Sequence, residues 1–227
     1  EWGWRIPFVV GCLIVPFLFW IRRMLEETEA FSQRKHHPKM SEIMRSVASN
    51  WALVLAGMLM VVTTTVMFYM ITAFTPTFGK TVLMMSDKQS FLVTLCIGLS
   101  NLFWLPIMGA LSDRVGRRPL LILFSLLMVF TAWPVLHWLV GSPSFAHLLE
   151  AELWLSFLYA SYNGAMVVYL AEVMPAEVRA TGFSMAYSLA TALFGGFTPA
   201  ISSYLIHATG DKAMPGVWLT VAALCGL

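Results

Sequence analysis

The sequence predicts an all-α, polytopic transmembrane helix bundle with about seven spans, the last of them truncated. Three observations predict it. Of 227 residues, 59% are hydrophobic and 11% charged, against about 45–50% and about 25% in a soluble domain. The mean hydropathy is +0.76. The apolar residues are gathered into segments close to the roughly 20 residues needed to cross about 30 Å of hydrocarbon. This composition excludes an ordinary soluble globular protein. The net charge of +2 is spread over sparse charges and offers no patch for nucleic acid.

The first apolar segment is 4–21, where Trp2, Trp4 and Arg5 read as an interfacial anchor entering a span already inside a longer protein. Nothing there resembles a signal peptide. A polar connection, 22–50, follows; its 25–31 run has helical composition, Pro38 interrupts it, and Ser41 is placed to cap a short helix bearing Ile43, Met44 and Val47 on one face. Next come 51–74, 91–111, 120–140, 153–173 and 183–206, joined by short turns, and lastly 217–227. At about 1.5 Å per residue that last stretch cannot cross a bilayer, so the chain reads as cut at both ends. One span before the long connection and six after it point to two six-helix halves in the intact protein. On this reading 1–21 is the last helix of an N-terminal half, 22–50 a central loop, and 51–227 a C-terminal half truncated in its last helix.

Orientation follows from lysine and arginine placement, since positively charged loops stay cytoplasmic. Alternating the loops puts Arg22, Arg23, Arg34, Lys35, Lys39, Arg45, Arg114, Arg117, Arg118 and Arg179 on one side and only Arg5, Lys80, Lys88 and Lys212 on the other. The first side, with the central loop and the truncated C-terminus, is therefore expected in the cytoplasm. The outer loops carry Glu150 and Glu152, and Trp138, Trp154 and Trp218 mark the outer headgroup level.

Cys12, Cys96 and Cys225 lie in apolar stretches without paired spacing and read as core thiols. The histidines show no metal-ligand spacing, so no metal and no cofactor is expected. No GxxxxGK[ST] loop, GxSxG serine, paired aspartates or HExxH is present, which argues against an ATP-driven pump or an intramembrane enzyme.

The most specific signal spans Gly109, Asp113, Arg114, Gly116, Arg117, Arg118 and Pro119. Gly116 lets the chain turn sharply and Gly109 lets a helix approach closely, while three arginines pin the loop at an anionic surface. Asp113 can bond Arg117 or face a neighbouring helix N-terminus, a contact that sliding helices could break. A solvated positive-inside turn is the plain alternative. A second cluster, Glu172, Pro175, Arg179 and Gly182, sets a carboxylate and a guanidinium at facing helix ends, where they could pair across a turn begun by Pro175. An exposed ion pair on a capped turn is the alternative there.

The first cluster resembles the GxxxDRxGRR signature of the major facilitator superfamily, and the second its matching acidic-basic turn. Runs such as Glu1-Trp2-Gly3-Trp4-Arg5, Tyr162-Asn163-Gly164 and Phe194-Gly195-Gly196-Phe197 resemble the metabolite:proton symporter branch, above all its citrate and tricarballylate carriers. The resemblance covers essentially the whole chain, from the sixth helix to the start of the twelfth. It implies proton-coupled uptake of a small carboxylate across a bacterial inner membrane by alternating access, with the missing N-terminal half as partner. It also implies a gating role for Gly109, Asp113, Arg114, Gly116, Arg117, Arg118, Glu172, Pro175 and Arg179. Other carriers of the branch, for 2-oxoglutarate, shikimate or proline/betaine, are the alternative.

Charges in a bilayer core are costly and usually functional, yet none lies at mid-span. Buried cations and the proton-carrying carboxylate are therefore expected in the missing half. Neutral polar residues remain, and Tyr69, Asn101, Tyr162, Asn163, Tyr187 and Thr191 are the candidates for lining a substrate cavity, with bonding between helices as the alternative. Gly195-Gly196 with Pro199, and Pro106 and Pro134, are expected to weaken their helices.

Overall fold

The computed structural model describes residues 3–24, 45, 48–175 and 179–227. The helices expected over 25–31 and 41–47 lie outside them. The chain divides into two compact units, Glu1–Glu42 and Ile43–Leu227.

The first unit holds a 3₁₀ turn, Gly3–Arg5, and two helical pieces, α1 (Ile6–Cys12) and α2 (Ile14–Met24). The break at Leu13 has a covalent cause. Pro16 has no N–H to give the Cys12 carbonyl, and its ring crowds that oxygen. The expected span 4–21 is thus present as two pieces.

Among the described residues of the second unit, five helices are long and apolar enough to cross a membrane: α3 (Trp51–Val82), α4 (Asp87–Val115), α5 (Arg117–Gly141), α6 (Phe145–Val173) and α7 (Arg179–Thr209). A shorter one, α8 (Met214–Cys225), has 12 residues. The chain is a multi-pass helical membrane protein.

Helix ends follow local chemistry. At the start of α4, Gln89 N–H donates to Ser86 Oγ and Ser86 N–H donates back to Gln89 Oε1, at 3.4 and 3.2 Å. Ser144 Oγ accepts the His147 N–H at 3.1 Å to open α6. Gly116, at φ 99°, turns the chain from α4 into α5, a conformation glycine enters without strain.

The helices outrun their apolar segments. α3 continues past Phe74 to Val82 through two wide π turns, Met70–Phe74 and Phe78–Val82, with Pro76 near the start of the short α-helical turn Thr75–Thr77 between them, where its missing N–H is tolerated. α7 has a third wide turn at Thr191–Gly195, resuming as α-helix at Thr198, so Gly195-Gly196 do interrupt their helix. α4 and α5 run unbroken through Pro106 and Pro134.

α3 and α6 supply much of the core through Val61, Met67, Met70, Ile71, Leu155, Tyr162 and Met166. On α4, by contrast, Leu92, Leu95, Leu99, Leu102 and Phe103 are exposed, an apolar surface suited to lipid. Lipid tails are as apolar as leucine, so close backbone approach must help hold the helices together. α4 and α6 achieve it at Gly164: a Cβ there would lie 3.0 Å from Gly109 N and 3.1 Å from Leu105 O. A Cβ on Gly109 would meet nothing nearer than 3.9 Å. The steric demand falls on Gly164, with the motif glycine as the surface it meets.

Two of the indoles bond neighbouring helices. Trp154 Nε1 donates to Thr131 Oγ1 at 3.0 Å and Trp218 Nε1 to Thr198 Oγ1 at 3.2 Å, and both are half-buried. Trp138 is exposed and its ring lies 4.4 Å from that of His147.

Glu152 differs from the expectation. The sequence put it in an outer loop, but α6 begins at Phe145, so Glu152 sits within the helix and is fully buried.

Candidate functional site

At the end of the bundle where α4 stops and α5 starts, one guanidinium gathers two carboxylates. Arg117 Nε donates to Glu172 Oε2 at 2.6 Å and Nη2 to Glu172 Oε1 at 2.7 Å, while Nη1 donates to Asp113 Oδ1 at 2.7 Å and Ser112 Oγ at 3.1 Å. Ser112 Oγ donates onward to the Gly109 carbonyl at 2.7 Å. The planar fork of arginine suits two-point bonding to a carboxylate.

Each charge stands at the wrong helix end for the backbone dipole. Asp113 and Glu172 lie at the C-terminal ends of α4 and α6, and Arg117 at the N-terminal end of α5, where the dipole favours the opposite signs. The cluster is therefore not explained by helix stability. What it does is cross-link three helices through contacts that a small separation of α5 from α6 would break.

The other motif residues surround it. Arg118 Nε donates to Tyr169 OH at 3.0 Å, with its guanidinium 5.8 Å from the Tyr169 ring centroid. Arg114 and Pro175 are exposed. Arg179 was expected opposite Glu172, but its Nε donates to the Met174 carbonyl at 3.2 Å, and both Glu172 oxygens are held by Arg117. Spacing could suggest a partner within the same turn; it could not show that a guanidinium 55 positions away arrives first.

The polar residues of the interior fall into two groups. Asn101 Oδ1 accepts from Ser156 Oγ at 2.9 Å, joining α4 to α6. Tyr162 is fully buried and its hydroxyl lies 3.3 Å from the Met60 carbonyl and 3.4 Å from that of Gly226. These two act as links between helices. A second group is half-buried and gathers on α3, α6 and α7: Tyr69, Asn163, Tyr187 and Thr191.

In that second group Thr64 Oγ1 donates to Asn163 Oδ1 at 2.8 Å, and Asn163 Nδ2 to Tyr159 OH at 3.4 Å. The rings of Phe68 and Tyr159 lie 5.8 Å apart, and those of Phe68 and Tyr69 also 5.8 Å, edge to face. Gly195, in the wide turn of α7, lets that helix reach α3, since a Cβ there would lie 3.0 Å from Thr65 Cβ and from the Tyr69 ring. Thr191 Oγ1 is buried without a hydrogen-bond partner. The result is a patch of hydroxyl and amide groups suited to a polar ligand. Tyr159, which the sequence offers as a neutral polar contact beside Tyr162 and Asn163 but which is not among the six cavity candidates, joins the patch one helical turn from Asn163. Among the described residues no three His, Cys, Asp or Glu come together as a metal site.

Comparison with known proteins agrees with this architecture. The chain is 59% identical over all 227 residues to a citrate-proton symporter of Klebsiella pneumoniae, matching 51% of that protein, and 56% identical to a citrate-proton symporter of Salmonella typhi, matching 52%. It is 30% identical over 240 aligned positions to a proline/betaine transporter of Salmonella typhimurium, matching 47% of it. The chain spans about half the length of these curated relatives. The family model for the Major Facilitator Superfamily matches residues 1–199, and the chain belongs to that superfamily.

Proposed function

We propose that this chain supplies the second half of a proton-coupled citrate transporter working by alternating access in a bacterial inner membrane. The observation that carries the proposal is identity of 59% along the whole chain to a protein named as a citrate-proton symporter. Identity of 30% to a proline/betaine carrier makes a zwitterionic substrate the second reading. Residues 1–21 would be the last helix of the first half, 22–50 the cytoplasmic central loop, and 51–227 the second half.

In this reading the Arg117 cluster is the latch at the cytoplasmic end, a placement supported by the excess of lysine and arginine in the loops of that side. Asp113 and Glu172 hold α4 and α6 to α5 while the latch is closed, Gly116 sets the turn, and Arg114, Arg118, Pro175 and Arg179 fix the flanking chain. Opening requires Arg117 to give up its carboxylates to water. The half-buried patch of Tyr69, Asn163, Tyr187 and Thr191 is the wall this half offers to the substrate, and its neutral groups would bond citrate hydroxyl and carboxylate oxygens. The cations that balance the substrate charge would come from the first half.

The test is uptake of radiolabelled citrate by vesicles containing the longer protein, under an imposed pH gradient. Accumulation that collapses with a protonophore and is competed by unlabelled citrate supports the proposal. Accumulation competed by proline or betaine and not by citrate supports the second reading and overturns the first.

A further inference from the structure

Glu152 is the buried acid that this mechanism leaves unused. Its side chain is fully buried in α6, seven residues from the helix start and twenty before Glu172, so the two carboxyls of α6 lie about 30 Å apart along it. Glu172 is exposed and paired with Arg117. Among the described residues Glu152 has no cation partner. Its Oε1 lies 2.8 Å from Thr75 Oγ1, and its Oε2 is buried with no hydrogen-bond partner.

The ionisable groups toward this end of α6 and of the elements packed against it are Lys80 on α3, Asp87, Lys88 and Cys96 on α4 and His137 on α5, with His147 and Glu150 on α6 itself. Lys80 pairs with Asp87 at 3.0 Å, His147 bonds the Ser142 carbonyl and His137 stacks on Trp133. None of the seven bonds Glu152.

A carboxylate in that position would be an uncompensated charge out of water, with one oxygen offered no donor. The arrangement around Thr75 suits the neutral acid. Thr75 Oγ1 also lies 3.2 Å from the Met70 carbonyl, in the wide turn Met70–Phe74. The threonine hydroxyl has one proton. When it donates that proton to Met70 O, Glu152 bonds it only by donating a proton of its own, giving a chain from acid to hydroxyl to carbonyl. The chain crosses from α6 to α3, and a surface recess lined by Pro76, Thr77 and Lys80 opens beside the next residue of α3.

We propose that Glu152 is a proton-binding site of this half, loaded while α6 is closed on the wide turn of α3 and emptied when the two part. Proton loss leaves an anion that this contact cannot hold, so deprotonation and separation of α3 from α6 at this end occur together. The step is a transfer of one proton from the carboxyl to water, with no other bond made or broken. This inference rests on the reading of the protein as a proton-coupled transporter.

The test uses E152Q in the longer protein. A glutamine amide can donate to Thr75 and stays neutral, so it mimics the loaded site. Accumulation of radiolabelled citrate driven by a pH gradient should fall at least about tenfold, while exchange between external and preloaded internal citrate, which needs no net proton movement, persists. Accumulation in E152Q with the wild-type pH profile overturns the proposal, as does loss of exchange together with accumulation. Wild-type protein that shows no protonophore-sensitive uptake instead removes the transport reading beneath it. Should E152Q fail to reach the membrane, infrared spectra of wild type and E152D decide: a protonated buried carboxyl band that shifts in E152D supports the site, and its absence from wild type overturns it.

Discussion

Arg117 and Glu172 meet through two parallel hydrogen bonds of 2.6 and 2.7 Å, although 55 residues separate them. The same guanidinium reaches Asp113 with its remaining arm at 2.7 Å, so one side chain ties the ends of three helices. Lysine has the charge but not the fork. R117K is expected to lower the initial rate of citrate uptake about tenfold or more at equal membrane content, measured as transport per unit of transporter. A wild-type rate in R117K would show that the fork has no part in the cycle.

Gly164 and Gly109 face each other across α4 and α6 but are not equivalent. G164A drives a methyl group toward the α4 backbone and should lower stability by about 1–3 kcal/mol, while G109A, with 3.9 Å of clearance, should stay close to wild type. Thermal unfolding of the detergent-solubilised protein compares them. Equal losses would contradict the contact described.

The chain turns between α4 and α5 at Gly116, whose φ of 99° and ψ of 150° are strained for a residue with a side chain. G116A is expected to cost about 1–3 kcal/mol and to displace Arg117, the next residue, from its carboxylates. Combined with R117K it should lower uptake by less than the product of the two separate effects, because both act on the same ion cluster.

The tyrosines divide by environment. Y69F and Y187F remove hydroxyls from the half-buried patch and should raise the apparent KM for citrate several-fold, about 1 kcal/mol for each lost bond. Y162F removes a hydroxyl buried against the backbone of Met60 and Gly226, and should lower stability by a similar amount while leaving KM unchanged. The reverse pattern would move the substrate wall to the α8 side of α6.

Much of this fold was legible in composition. Uniformly apolar segments near the bilayer length can be satisfied only by helices, and each of the seven appears as helix at the expected place. Their ends were less legible. The Pro76 region reads as a loop, and only the preceding wide turn, which places Pro76 at a helix start, lets α3 continue to Val82. The first turns of α6 carry Glu150 and Glu152 and so read as a polar connection; Glu150 is exposed, whereas the burial of Glu152 depends on α3 packing beside it, and no periodicity in the segment announces it. For the same reason the expectation that Glu152 lies in an outer loop was wrong: it is buried within α6. The residue types of the Arg117 cluster were visible in the motif, whereas the preference of Glu172 for Arg117 over Arg179 was set by where α5 meets α6.

The most direct test of coupled citrate transport follows the proton itself. Citrate would be added to lightly buffered liposomes containing the longer protein, with the external pH recorded by an electrode. Prompt alkalinisation outside, abolished by a protonophore and absent when proline is added instead, is the predicted result. Citrate entry with no change in external pH would contradict proton coupling.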